Sequence, residues 1–295
     1  MLAGENCFKA DGIGKSTSAE ECGAEINRFF LKDISDILLS AGGGETMCED
    51  LSFVDFSAIA AAPPKWFMGF SDNTNLTFLL PTLCDTAAVY GPNFPALFQE
   101  HPAILDAWGL LTGRISAVKN YEGWESESLR TAENPLAPYH ITEPFSMGCA
   151  GKSLPAPFSG RLLGGCLDCL INLCGTRFDA VRAFNRRYAK DGVVWFLEAC
   201  DLNPMGVRRG LWQLKEAGWF ENAAGFLIGR PCRYTDSCFG NDCNEAALDM
   251  LVPLGRPVLY NLDIGHLPPM MPLIAGALAT VTPGADGLRI YMRQS

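Results

Sequence analysis

The sequence contains few basic residues and very few histidines. Its 23 lysine and arginine residues are outnumbered by 33 aspartate and glutamate residues, which gives a formal net charge of −10 at pH 7. A surface of that sign repels phosphate groups, so the composition argues against nucleic acid and against an anionic membrane surface as partners. With 3 histidines in the chain, imidazole catalysis is restricted to His101, His140 and His266. The local sequence around His101 and His140 is typical of capping or surface groups.

The sequence also lacks the apolar segments that direct a chain to or across a membrane. No apolar run resembling a secretory signal occurs in residues 1–21. The longest nearly charge-free apolar stretch, residues 267–283, contains four prolines and cannot form one continuous spanning helix. The 12 cysteines are too sparse for a disulfide-stapled scaffold in a chain of 295 residues. We therefore expect a cytoplasmic protein with reduced thiols.

The chain does contain enough apolar side chains for a large α/β core, since 48% of its 295 residues are hydrophobic. Ser18 and Glu21 form a capping-box pattern and predict a helix that ends near Lys32. The run DILLSAGGGET predicts a buried strand that stops at a glycine turn, and WFMGFSDNTN predicts a second strand, a tight turn and a helix from about Asn73. Alternating strands and helices predict an α/β fold with a doubly wound, mostly parallel N-terminal sheet.

Regular periodicity fades over residues 120–158, where glycine, proline, serine and glutamate accumulate. We predict a connector there, between an N-terminal domain of residues 1–119 and a C-terminal α/β domain of residues 159–295. The C-terminal domain again alternates buried strands with helices. A functional site is expected in the cleft between the two domains.

The segment Gly69-Phe70-Ser71-Asp72 places a serine between an apolar strand and a helix. A sharp strand-to-helix turn exposes the hydroxyl of a nucleophile and directs backbone N–H groups toward a developing oxyanion. The elbow motif usually has glycine at its fifth position, where this chain has Asn73. Ser71 is therefore a candidate nucleophile, with a helix cap at Ser71 and Asp72 as the alternative.

A candidate acid and a candidate base lie later in the chain. Glu198 ends the apolar strand VVWFLE, where a carboxylate needs a partner. His266 follows the predicted strand PVLYNLD and a glycine, which allows close approach to a site. With Ser71 they would supply a nucleophile, an orienting acid and a base. The alternatives are an ion pair of Glu198 with Arg208 or Arg209, and a loop position for His266 with its ring bonded to a carbonyl group.

Two groups of cysteines have spacings that could suit zinc. They are Cys166, Cys169 and Cys174, and Cys232, Cys238 and Cys243. Cys166 and Cys169 lie one turn apart in a segment expected to be an apolar helix, where small buried thiols are ordinary core residues. We therefore expect no metal at these cysteines, and a serine nucleophile with a base and an orienting acid needs no metal and no organic cofactor.

Five blocks of the sequence resemble, in order and approximate spacing, those of the LD-carboxypeptidase family, the serine peptidases of family S66. The blocks are SAGGGETM, PKWFMGFSDNTNLTFL with YGPNF, GRLLGGCLDCLINLCGT, VVWFLEACD and DIGHLPP. This family includes muramoyl-tetrapeptide carboxypeptidases and microcin C immunity peptidases. By position, the resemblance implies that Ser71 is the nucleophile and that Glu198 and His266 complete a triad.

The resemblance also implies an oxyanion hole and a substrate class. Its donors would be the backbone N–H groups of Asp72 and of Gly43 or Gly44. The implied reaction is hydrolysis of the amide bond to a C-terminal D-amino acid in peptidoglycan-derived peptides, as in peptidoglycan recycling. A small peptide or muropeptide would be the partner, and a homodimer is left open. An alternative within the family is cleavage of peptidyl-nucleotide conjugates by an immunity-type peptidase.

This sequence departs from the family pattern at three places. Residues 46–48, Thr-Met-Cys, stand where many members have arginine or asparagine, and Cys166 replaces the asparagine of the family's Gly-Gly-Asn-Leu block. By the resemblance, such enzymes usually begin with a strand–helix–strand unit that we expect to be missing here, and one of its strands would normally lie inside the N-terminal sheet. A further alternative is therefore a truncated, catalytically inactive homologue that binds peptides.

Overall fold

The computed structural model describes residues 1–293. The α-helices are α1 (Ala19–Leu31), α2 (Met47–Asp50), α3 (Phe56–Ala61), α4 (Thr74–Leu83), α5 (Pro102–Leu111), α6 (Leu167–Leu173), α7 (Val181–Arg187), α8 (Pro204–Glu216) and α9 (Cys243–Leu251). The strands are β1 (Ile37–Leu39), β2 (Trp66–Gly69), β3 (Ala88–Tyr90), β4 (Ala117–Lys119), β5 (Gly123–Trp124), β6 (Glu143–Pro144), β7 (Gly148–Cys149), β8 (Phe158–Cys166), β9 (Val193–Glu198), β10 (Ala223–Gly229), β11 (Val258–Leu262), β12 (Leu273–Ala275), β13 (Leu278–Gly284) and β14 (Gly287–Arg293).

The smaller sheet has the strand order β1-β2-β3-β12. Strands β1, β2 and β3 run parallel, with Leu38 opposite Phe67 and Met68 opposite Val89. Helices α1, α3 and α4 cover one face, where Phe30 and Leu80 pack with Phe67 in a buried cluster. The alternation of strands and helices confirms the predicted parallel α/β arrangement for this part of the chain.

The larger sheet has the strand order β4-β14-β13-β8-β9-β10-β11-β7. Its centre, β8 to β11, is parallel, and its flanking strands are antiparallel. Strand β9 is buried at every position, with Val194 and Phe196 in one core cluster and Val193, Trp195 and Leu197 in another. This alternation follows the period of two of a strand, and it shows why the run VVWFLE is almost continuously apolar.

Each sheet contains one strand that the chain order would place with the other sheet. Strand β4 pairs with β14 at the edge of the larger sheet, and β12 pairs with β3 in the smaller one. Residues 120–158 contribute the short pair β5–β6 and strand β7, which pairs with β11. The chain therefore passes from one sheet to the other more than once, and these crossings connect the two sheets.

Local features of the sequence are found where the pattern predicted them. Ser18 caps α1 by accepting a hydrogen bond from the Glu21 backbone N–H at 3.3 Å. The turn after β2 is a short 3-10 helix, Ser71–Asn73, which leads directly into α4. Within residues 1–293, no helix combines the length and the apolar character needed to cross a bilayer.

Candidate active site

Ser71 follows the carboxyl end of β2 and is the first residue of the turn that leads into α4. Its φ of 65° is in the left-handed region, which costs a non-glycine residue about 1–3 kcal/mol and persists only where the surroundings enforce it. Its hydroxyl oxygen lies 2.9 Å from His266 Nε2. The strained turn therefore presents the hydroxyl to an imidazole. The alternative required a side-chain cap of α4 by Ser71 or Asp72, and neither residue makes one.

Asn73 ties this turn to the neighbouring glycine turn. Its side-chain amide donates hydrogen bonds to the carbonyl groups of Gly42 at 2.8 Å and Phe70 at 3.0 Å. The Phe70 backbone N–H in turn donates to Asn93 Oδ1 at 3.1 Å. The residue that replaces the usual elbow glycine thus fixes the position of Ser71 relative to the turn after β1.

Glu198 is the last residue of β9 and is 2% exposed. Its Oε2 lies 2.9 Å from His266 Nδ1, and its Oε1 accepts a hydrogen bond of 2.5 Å from the Tyr90 hydroxyl. Both carboxylate oxygens are therefore paired, as a buried charge requires. Arg208, one of the two alternative partners, forms an ion pair with Asp249 instead.

His266 lies in the loop after β11, and Gly265 before it has a φ of 110°. A Cβ atom at position 265 would lie 2.6 Å from Glu198 Oε2, so only glycine allows the loop to pass this close to the carboxylate. The Phe70 ring lies 5.0 Å from the imidazole, centroid to centroid. The structure thus brings the three side chains selected from the sequence into one hydrogen-bonded series, Ser71, His266, Glu198.

The glycine turn lies against the same serine. A Cβ atom on Gly43 would lie 3.2 Å from Ser71 Cβ, and one on Gly44 would lie 3.1 Å from Asp72 Oδ2. The Asp72 carboxylate accepts hydrogen bonds from the Met47 backbone N–H at 2.8 Å and from the Asn75 side chain at 3.0 Å. Burial nevertheless raises the pKa of Asp72. The backbone N–H groups of Asp72 and of Gly43 or Gly44 remain the predicted oxyanion donors.

One thiol beside the imidazole, that of Cys200, changes its proton affinity. Burial lowers the pKa of His266, but the Glu198 carboxylate and Cys200 outweigh this effect and raise it to about 11. Hydrogen bonds with Cys232 and with His266 lower the pKa of Cys200 to about 6, while its bond with Cys200 raises the pKa of Cys232. The carboxylate and the Cys200 thiol therefore favour the protonated form of the imidazole over the neutral form.

Tyr90, which sequence reasoning missed, is fully buried on β3 and joins the smaller sheet to Glu198. Burial and the adjacent carboxylate raise the pKa of Tyr90 well above its usual value, so the hydroxyl remains a donor. The sequence contains a weak signal for this role, because the apolar run AVY ends in a tyrosine, whose hydroxyl needs a hydrogen-bond partner when it is buried.

We expect Tyr90→Phe to lower the free energy of unfolding by about 1–3 kcal/mol, because it leaves a buried carboxylate oxygen without its donor. Chemical denaturation of the variant and the unmodified chain measures the change. The loss of turnover should be smaller than for substitution of Glu198 itself. An unchanged unfolding free energy would show that this hydrogen bond does not hold the acid in place.

The remaining histidines lie outside this arrangement, but the Cys166 sulfur, a Glu198 carboxylate oxygen and a His266 ring nitrogen lie within 4.8 Å of one another. His101 caps α5 by accepting a hydrogen bond from the Ala103 backbone N–H at 3.2 Å, and His140 is exposed, as expected. Neither cysteine trio weighed from the sequence forms a ligand cluster within residues 1–293. The helical placement of Cys166 was wrong, because it is the last residue of β8. The two glycines before it adopt extended backbone with positive φ, which continues the strand to that point.

The comparisons with known proteins agree with this architecture. The family model of the LD-carboxypeptidase N-terminal domain matches residues 3–91, and the family model of the LD-carboxypeptidase C-terminal domain matches residues 159–281. The Microcin C7 self-immunity protein MccF of Escherichia coli is 26% identical over 287 residues, which cover 94% of this chain and 79% of that relative. The probable murein peptide carboxypeptidase of Bacillus subtilis is 27% identical over 263 residues, which cover 88% of this chain and 72% of that relative.

Solved structures are similar over almost the whole chain. Wild-type MccF in its apo state matches with a TM-score of 0.81 at 21% identity, covering 99% of this chain and 86% of that one. A MccF-like protein from Streptococcus pneumoniae in complex with AMP matches with a TM-score of 0.73 at 23% identity, covering 93% and 83%. These matches confirm the predicted α/β fold.

Proposed function

Because the chain belongs to the LD-carboxypeptidase family, we propose that it is a serine peptidase that hydrolyses the amide bond to a C-terminal D-amino acid in peptidoglycan-derived peptides. The observation that carries the proposal is the series of two 2.9 Å contacts that joins the Ser71 hydroxyl to His266 and His266 to Glu198. A nucleophile, a base and an orienting acid in this order would form a catalytic triad. The murein peptide carboxypeptidase relative supports the substrate class.

In the proposed reaction, His266 Nε2 removes the proton from the Ser71 hydroxyl as its oxygen attacks the carbonyl carbon. The same nitrogen then gives that proton to the leaving amine, and a water molecule repeats the sequence on the acyl-enzyme. Glu198 accepts the Nδ1 hydrogen bond throughout, which fixes the imidazole tautomer and stabilises the imidazolium. Tyr90 holds the other oxygen of Glu198 and so acts as a positioning residue.

The developing oxyanion would be stabilised by the backbone N–H groups of Asp72 and of Gly43 or Gly44. The close approach of Gly43 to Ser71 supports this assignment, because it brings the glycine turn next to the attacking oxygen. Each such donor is worth about 3 kcal/mol in the transition state. Proton transfer and fixed backbone dipoles would then suffice for the chemistry.

We expect kcat/KM to rise with pH, since the base is active only as the neutral imidazole and Glu198 and Cys200 raise the pKa of His266 to about 11. Replacement of Cys200 by serine removes a group that raises this pKa, so the acid limb of the profile should move to lower pH. The measurement is kcat/KM against pH for both proteins, with Cys174→Ser as the matched control. A limb that stays in place, or moves to higher pH, would contradict the assigned cause.

A second substrate class is favoured by the similarity to MccF. That protein has been solved in complex with aspartyl sulfamoyl adenosine, and the fold matches across 99% of this chain. An amide bond between an aminoacyl group and a nucleotide-like sulfamoyl group would be attacked by the same serine in the same way. Of the departures from the family pattern, Met47 bonds to Asp72 through its backbone N–H, and the buried Cys166 lies beside Glu198 and His266, so both are placed to influence this choice.

The two substrate classes can be separated directly. Purified full-length protein is incubated with an L,D-linked murein tetrapeptide and, separately, with aspartyl sulfamoyl adenosine, and the products are identified by mass spectrometry. Release of D-alanine that is lost in Ser71→Ala supports the murein reading. Cleavage of the sulfamoyl compound alone supports the second reading. Failure to cleave either one by a folded sample would overturn both and favour an inactive peptide-binding homologue.

A further inference from the structure

A cluster of two cysteines and the catalytic imidazole lies beside the triad. The sulfur atoms of Cys200 and Cys232 and a ring nitrogen of His266 all lie within 4.8 Å of one another. In tetrahedral zinc sites, where Zn–S bonds are about 2.3 Å, two sulfur ligands are about 3.8 Å apart. Small side-chain rotations would therefore bring these three atoms to the distances of one metal centre.

The backbone fixes the two cysteines in this position. Cys200 follows β9 and Cys232 follows β10, which are neighbours in the larger sheet. The Cys200 backbone N–H donates to the Asp168 carboxylate at 3.1 Å, and the Cys232 backbone N–H donates to the Ala199 carbonyl at 3.0 Å. Both thiols are only half-buried, so a small ion can reach them from solvent. Neither thiol donates to or accepts from the substrate in the proposed reaction.

We propose that Cys200, Cys232 and His266 form a binding site for a thiophilic divalent cation, Zn²⁺ in particular, and that occupancy of this site inhibits the peptidase. Two thiolates and an imidazole are the ligand types that select zinc, whereas Mg²⁺ and Ca²⁺ require oxygen ligands. The cysteines bind as thiolates and the imidazole binds through an unprotonated ring nitrogen, so any protons that these atoms hold are released to solvent. The inhibitory consequence rests on the proposed function, but the binding of metal does not.

Inhibition follows whichever ring nitrogen binds the metal. Nδ1 is the atom that pairs with Glu198, and Nε2 is the atom that pairs with Ser71. A metal on Nε2 prevents the imidazole from taking the serine proton, and a metal on Nδ1 removes the contact with the orienting acid. Binding of the cation would thus inhibit the enzyme reversibly, because it occupies a ring nitrogen of His266.

The binding half is tested with Co²⁺ alone, added to reduced, metal-free, full-length protein. Thiolate coordination should give the intense near-ultraviolet charge-transfer absorption and the visible bands of tetrahedral cobalt, with one equivalent bound and Zn²⁺ displacing it. We expect Cys200→Ser and Cys232→Ser each to weaken binding by more than about 100-fold, since loss of a ligand costs more than loss of an outer partner. Cys174→Ser, a half-buried cysteine outside the cluster, should behave as the unmodified chain does.

The inhibition half is tested on the same samples by labelling Ser71 with a fluorophosphonate. Labelling of the unmodified chain should fall when Zn²⁺ is added and return with a chelator, whereas labelling of Cys232→Ser should be equal with and without the metal. Unchanged Co²⁺ spectra and affinity in both cysteine variants, or no thiolate-to-cobalt band at all, would overturn the site. Undiminished labelling of a metal-loaded chain would overturn the inhibition. Absence of labelling in metal-free protein would count against the proposed function, and the Co²⁺ result would still decide the site.

Discussion

Replacement of Ser71 by alanine is expected to lower turnover by about 10⁴- to 10⁶-fold while the chain remains folded. The substitution removes the attacking oxygen and leaves no other hydroxyl in its place on the strained turn. The turn itself is held by the bonds of Asn73 and Asn93, which do not involve the serine side chain. Hydrolysis rates of the variant and the unmodified chain, measured on the better substrate, give the ratio.

Ser159→Ala is the matched control for this substitution. Ser159 lies near the start of β8, whose last residue, Cys166, pairs with Glu198, and seven strand residues span roughly 23 Å. This variant should hydrolyse substrate at the unmodified rate. Circular dichroism and thermal unfolding must be preserved in both variants. If Ser71→Ala retains its activity, the nucleophile is another group and the proposed mechanism fails.

The second large effect is expected for Glu198→Gln, with a loss of about 10⁴-fold in kcat. The amide keeps the size of the side chain and can still accept a hydrogen bond from Tyr90. It cannot stabilise the imidazolium, and its N–H₂ group favours the wrong tautomer of His266. Because this carboxylate is buried and both its oxygens are paired, we expect KM to change far less than kcat.

A double variant separates this role from a purely structural one. If Glu198 acts through His266 on Ser71, then Ser71→Ala combined with Glu198→Gln should be about as slow as Ser71→Ala alone, because residues that act as a unit are strongly non-additive. Losses that multiply would contradict the series of contacts. A variant that recovers activity on refolding at lower temperature would point to instability instead.

The three candidate catalytic residues could be selected from the sequence because each one ends or follows a predicted strand. The carboxyl ends of parallel strands meet at one edge of a sheet, so residues as distant as Ser71, Glu198 and His266 are expected to converge once the strands are located. The same reasoning located the glycine turn after β1. This reasoning requires only that the strands be located from hydrophobic runs, which are visible in the local sequence.

The features that sequence reasoning missed depend on contacts between distant segments. Tyr90 and Glu198 come from different sheets, and nothing in either local sequence pairs them. Cys200 and Cys232 were not grouped because their proximity comes from the neighbouring positions of β9 and β10, while the sequence spacing placed Cys232 with Cys238 and Cys243. The exchange of β4 and β12 between the sheets has the same origin, since short strands carry little signal about their partners.

The most direct test of a nucleophilic serine activated by a histidine is the covalent labelling of the purified full-length chain with a fluorophosphonate, followed by intact-mass measurement and peptide mapping. One adduct per chain on Ser71, formed rapidly in the unmodified protein and lost in His266→Gln, is the result that we predict. Labelling of a different residue, or labelling of Ser71 that proceeds equally fast without the imidazole, would contradict the account.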